Sequence, residues 1–262
     1  MGITAIDINC DMGEIPEAIA DGTQESLMPS LTSVNIACGG HAGNEDTMRA
    51  TIEQAKRWNL TIGAHPGYPD PDNFGRLELT MAVADVEATV FAQVRALAVV
   101  ARACGVSLVH VKAHGALYNQ AVQNPALSRA IANGVAKYCK DVVLVGLAGS
   151  PMLDIFQDAG FAVAAEAFAD RQYEIDGTLR SRRFDDALIR DPEKAAEQAL
   201  RIVQQESAAA ANGSSVKISA QTICIHGDTP GAPKIAAAVA QKLRDAGVAL
   251  RPLAPTGSAM RQ

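Results

Sequence analysis

Short apolar runs, several of them closing on a histidine or a carboxylate, recur along this chain and alternate with segments of helical period. The runs fall near residues 3–9, 33–38, 60–65, 107–112, 142–147, 161–166 and 221–226, with a further candidate at 248–251. Helix-period stretches lie between them, at about 44–58, 85–104, 125–139, 150–159, 192–211 and 231–246. Short apolar runs bounded by turn residues read as buried strands. Strands separated by helices build right-handed βαβ units and a parallel sheet. Seven or eight such units suit a closed barrel better than an open sheet. The expectation is an α/β fold, a (β/α) barrel of about seven parallel strands, in one domain spanning residues 1–262.

Local signals agree with that alternation. Asn44 precedes Glu45-Asp46, Asp85 precedes Val86-Glu87, and Asp191-Pro192 places proline at a first helical position. Gly105, Gly160 and Gly247 close other helices. Two connections, 10–32 and 167–190, are too long for turns and read as lids or binding loops. The stretch 208–215 reads as a frayed helix end followed by a turn.

Composition narrows the function. The chain has a net charge of −6 and no basic stripe, which argues against nucleic acid. No apolar stretch is long enough for a bilayer, and Asp7 and Asp11 interrupt the one early apolar run, so neither a membrane span nor a signal peptide is expected. Five scattered cysteines read as reduced thiols of a cytoplasmic protein.

Side chains alternate along a strand. Ile6 and Ile8 share one face of the first run, while Asp7, Asn9 and Asp11 share the other. Val109 and Val111 oppose His110, Lys112 and His114; Ile223 and Ile225 oppose Thr222, Cys224 and His226. One face suits packed helices and the other carries titratable groups, so the barrel interior should be polar. His41, His65, His114 and His226 stand at the ends of separate runs, where the loops of parallel α/β folds gather catalytic side chains. His110 can also be a hydrogen-bonded core histidine, Asp7 a loop cap, and Lys112 the partner of Asp7 or Asp11 in an ion pair. Cys38 reads as a nucleophile near a helix start or as a small buried residue. No GxxxxGK[ST] phosphate loop is present.

Those residues stand in segments that together resemble the LamB/YcsF family: Asp7-Ile-Asn-Cys-Asp-Met-Gly-Glu14, Asn35-Ile-Ala-Cys-Gly-Gly-His-Ala-Gly43, Gly63-Ala-His-Pro-Gly-Tyr-Pro-Asp70, Asn73-Phe-Gly-Arg76, Val111-Lys-Ala-His-Gly-Ala-Leu-Tyr-Asn119, Phe168-Ala-Asp-Arg-Gln-Tyr173 and His226-Gly-Asp228. Two positions depart from the family pattern. Ala113 replaces a common proline, and Asn44 replaces a frequent aspartate. The resemblance implies an irregular barrel related to the polysaccharide deacetylases. It also implies ATP-dependent hydrolysis of the lactam 5-oxo-L-proline to L-glutamate, with Mg2+-ATP as co-substrate and two further subunits, B and C, as partners.

Chemistry then suggests roles. Asp11, His41 or His65 would serve as general base, with Lys112 and His114 stabilising developing negative charge. Arg76 or Arg171 would take the substrate carboxylate, and His226 with Asp228 would protonate the leaving nitrogen. Asn9 and Asp170 complete the expected substrate-binding set. Alanine at His65 or Lys112 should abolish turnover with the fold intact. Two rivals remain. One is a stand-alone metal-dependent deacetylase or amidohydrolase acting on an N-acyl or carbohydrate substrate, with Asp11, His41 and His65 around a divalent ion. The other is a non-catalytic subunit that delivers substrate.

Overall fold

In the computed structural model, which describes residues 4–254, seven parallel strands close into a barrel. They are β1 (Ala5–Met12), β2 (Ser33–Ala37), β3 (Thr61–His65), β4 (His110–Lys112), β5 (Val143–Leu147), β6 (Ala162–Phe168) and, after a short antiparallel hairpin β7 (Ser207–Ala209) and β8 (Ser215–Lys217), β9 (Thr222–Ile225). The ring closes where β9 pairs with both β6 and β1. A two-residue strand, β10 (Ala249–Leu250), adds to the start of β1. The helices are α1 (Pro16–Ala20), α2 (Glu45–Arg57), α3 (Val83–Ala103), α4 (Gly115–Gln123), α5 (Pro125–Ala136), α6 (Pro151–Asp158), α7 (Pro192–Gln205) and α8 (Ala232–Asp245). No helix among the described residues is long and apolar enough to cross a membrane.

The alternation expected along the strands organises the core. Ile6, Ile8, Ile223 and Ile225 are fully buried with the helix layer, as are Val90, Leu97, Ile202 and Val239 from the helices. Burial of one such side chain stabilises the fold by about 1.5–3 kcal/mol. Asn44 caps α2: its side chain accepts from the Thr47 amide while the Thr47 hydroxyl accepts from the Asn44 amide. Asn44, where the resemblance expects an aspartate, therefore serves as a helix cap. Asp191 caps α7, its side chain accepting from the Glu193 and Lys194 amides.

Four local expectations change. β1 runs on to Met12, because Asp11 turns inward and finds partners there instead of ending the strand. The 10–32 connection is partly ordered, holding α1 and a 3-10 turn over Glu25–Ser30. α4 occupies a segment that carries no capping side chain and so gives no start signal. α7 stops at Gln205, where Glu206 takes a left-handed conformation (φ 48°), and the alanine-rich run beyond it forms the hairpin. Arg201 secures that hairpin by donating to Ser207 Oγ (3.1 Å) and Ser215 Oγ (2.9 Å). Tertiary contact overrides alanine's helix preference there.

Candidate active site

The barrel interior is polar in layers. At its base Asp7 accepts from the hydroxyls of Thr32, Ser33 and Thr222, tying β1 to its neighbours on both sides rather than capping a loop. Burial pushes its carboxyl up to about 6 against the pull of those hydroxyls. His110 donates from Nε2 to Asn35 Oδ1 (2.7 Å), and burial with the nearby Lys112 charge pushes it down to about 3. It is a neutral interior histidine. Gly63 makes room for it, since a Cβ there would lie 2.1 Å from the ring nitrogen.

Above this layer Lys112, at the end of β4, reaches Asp11 Oδ1 (3.0 Å), Glu166 Oε1 (2.9 Å) and Cys224 Sγ (3.1 Å). Burial opposes its charge, but Asp11 and Glu166 overcome that and hold the ammonium well above its ordinary value. Asn9 donates to Glu166 and Thr222, and Asn35 donates to both Asn9 and Asp11. Asp11 is half-buried. The charges of His65 and Lys112 outweigh burial and keep it well below the usual carboxylate range. Its partner in the ion pair settles one expectation: Lys112 pairs with Asp11 and Glu166, not with Asp7.

At the mouth three histidines converge on Glu14. His41 Nε2 lies 2.9 Å from Glu14 Oε1 and His114 Nδ1 3.3 Å from it. The His41 and His114 rings stack at 3.5 Å. His65 Nε2 stands 2.9 Å from His114 Nδ1 and 3.2 Å from Asp11 Oδ2. The outer nitrogens are already committed: His65 Nδ1 meets the Lys112 carbonyl (2.8 Å) and His114 Nε2 the Phe74 carbonyl (2.9 Å). A carbonyl only accepts, so those nitrogens carry the hydrogens. In the neutral rings the two inner nitrogens therefore present lone pairs to each other, a repulsive arrangement unless a proton or a cation lies between them. Burial opposes charge on all three rings, and only His65 is raised above its ordinary value, by the Asp11 carboxylate; His41 and His114 are lowered. The loop covering the cluster needs glycine at 75, where φ is +62° and a Cβ would stand 2.6 Å from His41 Cβ.

The donor set fits a metal ion. Ligand atoms of Glu14, His41, His65 and His114 all lie within 4.8 Å of one another, and the buried His41 Nδ1 has no hydrogen-bond partner. Asp11 is absent from that quartet and belongs to a second group with Cys224 and His226. Of the three residues expected as a facial ligand set, the structure thus places His41 and His65 around Glu14 and sets Asp11 between His65 and Lys112.

The remaining expected residues line the rim. His226 Nδ1 bonds Asp170 (3.0 Å), and the His226 amide and Thr229 hydroxyl donate to the same carboxylate. Asp228, expected beside His226 in proton transfer, instead accepts from Arg76 (2.6 Å) and Arg182 (3.3 Å). Arg171 is buried and donates to the Ala187 and Arg180 carbonyls, which fastens the loop after β6. Burial and the nearby Arg182 push it down to about 10. Cys38 is buried and its thiol is pushed up to about 12 by desolvation, so the nucleophile reading gives way to the packing one.

Sequence reasoning left out Glu14, Asn35, Glu166 and Arg182. Glu14 closes the Asp7–Glu14 segment, and Glu166 follows Ala162 and Ala164 at period two, so both carried a readable signal. Asn35 shares its strand face with Ser33, whereas nothing local distinguished Arg182 from Arg180 and Arg183.

The geometry can be set beside known proteins. The sequence profile of the LamB/YcsF family matches residues 6–258. A protein of Chloroflexus aggregans, named as the A subunit of 5-oxoprolinase, is 49% identical over 247 residues, covering 94% of this chain and 98% of its own. The crystal structure of a lactam utilization protein from Thermus thermophilus superposes with a TM-score of 0.88 at 38% identity, covering 95% of this chain and all of that one. The structure of a T48 deacetylase with substrate matches with a TM-score of 0.50 at 15% identity, a likeness of fold alone that covers 95% of this chain and 88% of that one.

Proposed function

The chain belongs to the LamB/YcsF family, and from that premise we propose that it is the A subunit of an ATP-dependent 5-oxoprolinase, a cytoplasmic hydrolase that opens the lactam of 5-oxo-L-proline to L-glutamate. Near full-length identity of 49% to a protein bearing that name carries the reading. Subunits B and C are the partners, with Mg2+-ATP as co-substrate. Residues 4–254 act as one catalytic domain, the ends of the expected 1–262 span lying outside the described residues.

The geometry supplies a chemical route. In its neutral form His65 takes a proton from the attacking water at Nε2 and keeps it, and the Asp11 carboxylate at 3.2 Å stabilises the imidazolium. Asp11 itself is too weak a base for that role, being held low by its neighbours. Lys112 stabilises negative charge on the carbonyl or phosphoryl oxygen, in a site where burial strengthens the interaction. His226, oriented by Asp170 through Nδ1, gives the leaving nitrogen a proton from Nε2 when the ring is in its imidazolium form. Asn9 holds Glu166 and Lys112 in register, and the Lys112 carbonyl orients His65 through Nδ1.

A second reading has its own support in the facing lone pairs of His65 and His114. Glu14, His41, His65 and His114 would hold a first-row divalent ion, which when bound would polarise a carbonyl and acidify a water. The inner nitrogen of His65 can serve the ion or the proton, not both at once. The ion is compatible with the oxoprolinase reading or with metal-dependent amide hydrolysis.

Glutamate release from 5-oxo-L-proline and ATP, with cognate B and C subunits and with or without this chain, separates the readings. Glutamate formed only by the three together supports the proposal. A folded but inactive mixture would overturn it and move metal-dependent hydrolysis to first place.

A further inference from the structure

We propose that Arg182 and Arg76 form an oxyanion-binding pair at the barrel mouth, with Asp228 as an internal carboxylate that holds both guanidiniums until a substrate oxyanion takes its place. The inference rests on the functional reading above and adds Arg182 to it as a specificity-determining residue.

Both arginines donate to one atom, Asp228 Oδ2, at 2.6 Å from Arg76 and 3.3 Å from Arg182. A guanidinium offers five donors in a fixed fork, so two of them sharing one oxygen leave most of that capacity unused. The three residues come from three different loops, those after β3, β6 and β9. Buried Arg171 feels the Arg182 charge, while the buried Asp170 carboxylate is committed to His226 and Thr229, so Asp228 is the carboxylate that Arg76 and Arg182 share. Arg180 differs, because Glu174 and Asp186 neutralise it.

The pair sits beside the catalytic cluster. Arg76 stacks over Phe74 at 4.7 Å, and the Phe74 ring packs edge-on against His41 and His114. The Phe74 carbonyl accepts from His114 at 2.9 Å, so the loop that presents Arg76 is fastened to the reacting centre. Exchanging the Asp228 carboxylate for a substrate oxyanion keeps both guanidiniums paired, and the displaced Asp228, a half-buried side chain, is left to solvent. The ligand is a forked oxyanion: the carboxylate of the lactam or a phosphate of the nucleotide.

The test is calorimetric titration of the full chain with 5-oxo-L-proline, its neutral carboxamide and inorganic phosphate, alongside KM and kcat in the assembled enzyme. Arg182→Ala should weaken 5-oxo-L-proline about tenfold or more and raise its KM equally, with kcat changed far less. Arg182→Lys should fall between, keeping the charge without the fork. The carboxamide should bind weakly and respond little to either change. If Arg182→Ala raises the KM for ATP and weakens phosphate instead, the pair stands with the nucleotide as its source. Unchanged binding and unchanged KM for both would overturn it, and so would wild-type protein that binds neither probe. Absence of glutamate from the wild-type assembly would count against the functional reading alone, since titration with phosphate still decides the pair.

Discussion

His65 Nε2 and His114 Nδ1 face each other at 2.9 Å while the opposite nitrogen of each ring is bound to a backbone carbonyl. The fold therefore maintains a pair of acceptors that only a proton or a cation reconciles. Without metal, the Asp11 carboxylate favours a proton on His65.

Metal binding should accordingly displace that proton. Titration of chelator-treated protein with Zn2+ in two buffers of different ionisation enthalpy should report proton release. Glu14→Gln and His114→Ala should each weaken the ion by more than the roughly 10–100-fold seen when outer partners are lost. Wild-type affinity in both variants would remove the quartet as a metal site.

Lys112→Ala should lose turnover and stability together. Sequence reasoning alone expects an intact fold, but Lys112 neutralises half-buried Asp11 at 3.0 Å and buried Glu166 at 2.9 Å. Removing one partner of a buried pair costs roughly 3–5 kcal/mol. Urea denaturation checks this, and adding Glu166→Gln should recover part of the loss. A wild-type midpoint for the single variant would contradict it.

Asp7 should make stability depend on pH. Its carboxyl is raised from 3.8 to about 6, so its contribution is fully present below pH 4 and is lost as pH rises through about 6. The change is of order 3 kcal/mol. Asp7→Asn should flatten the difference in unfolding free energy over that window, and an unaltered pH slope would exclude Asp7 as its source.

Gly63→Ala should be poorly tolerated, because the new Cβ would stand 2.1 Å from His110 Nε2, inside a packed strand layer. Overpacking of this kind typically costs about 1–3 kcal/mol. A thermal midpoint equal to wild type would mean that His110 moves aside freely.

Cys38→Ala should keep activity, and native protein should resist iodoacetamide at this position. Its thiol is buried and pushed up to about 12, which leaves almost no thiolate at neutral pH. Inactivation that tracks alkylation of Cys38 would reverse this reading.

The alternation of apolar runs with helical segments determined the parallel barrel, since period-two and period-3.6 patterns are written directly in the chain. It also determined which faces of β1, β4 and β9 point inward, because Asp7, Asn9 and Asp11 can share a face in only one register. Closure decided the rest. Which carboxylate meets which cation depends on distances across the barrel: Asp11 finds Lys112 at a separation of 101 residues, and Asp228 finds Arg76 at 152. The pairing of His226 with Asp170 instead of Asp228, the hairpin after α7 and the place of Glu14 among three histidines belong to the same class. Local sequence specifies backbone periodicity and side-chain direction. Partners brought together from separate strand ends exist only once the ring of strands has closed.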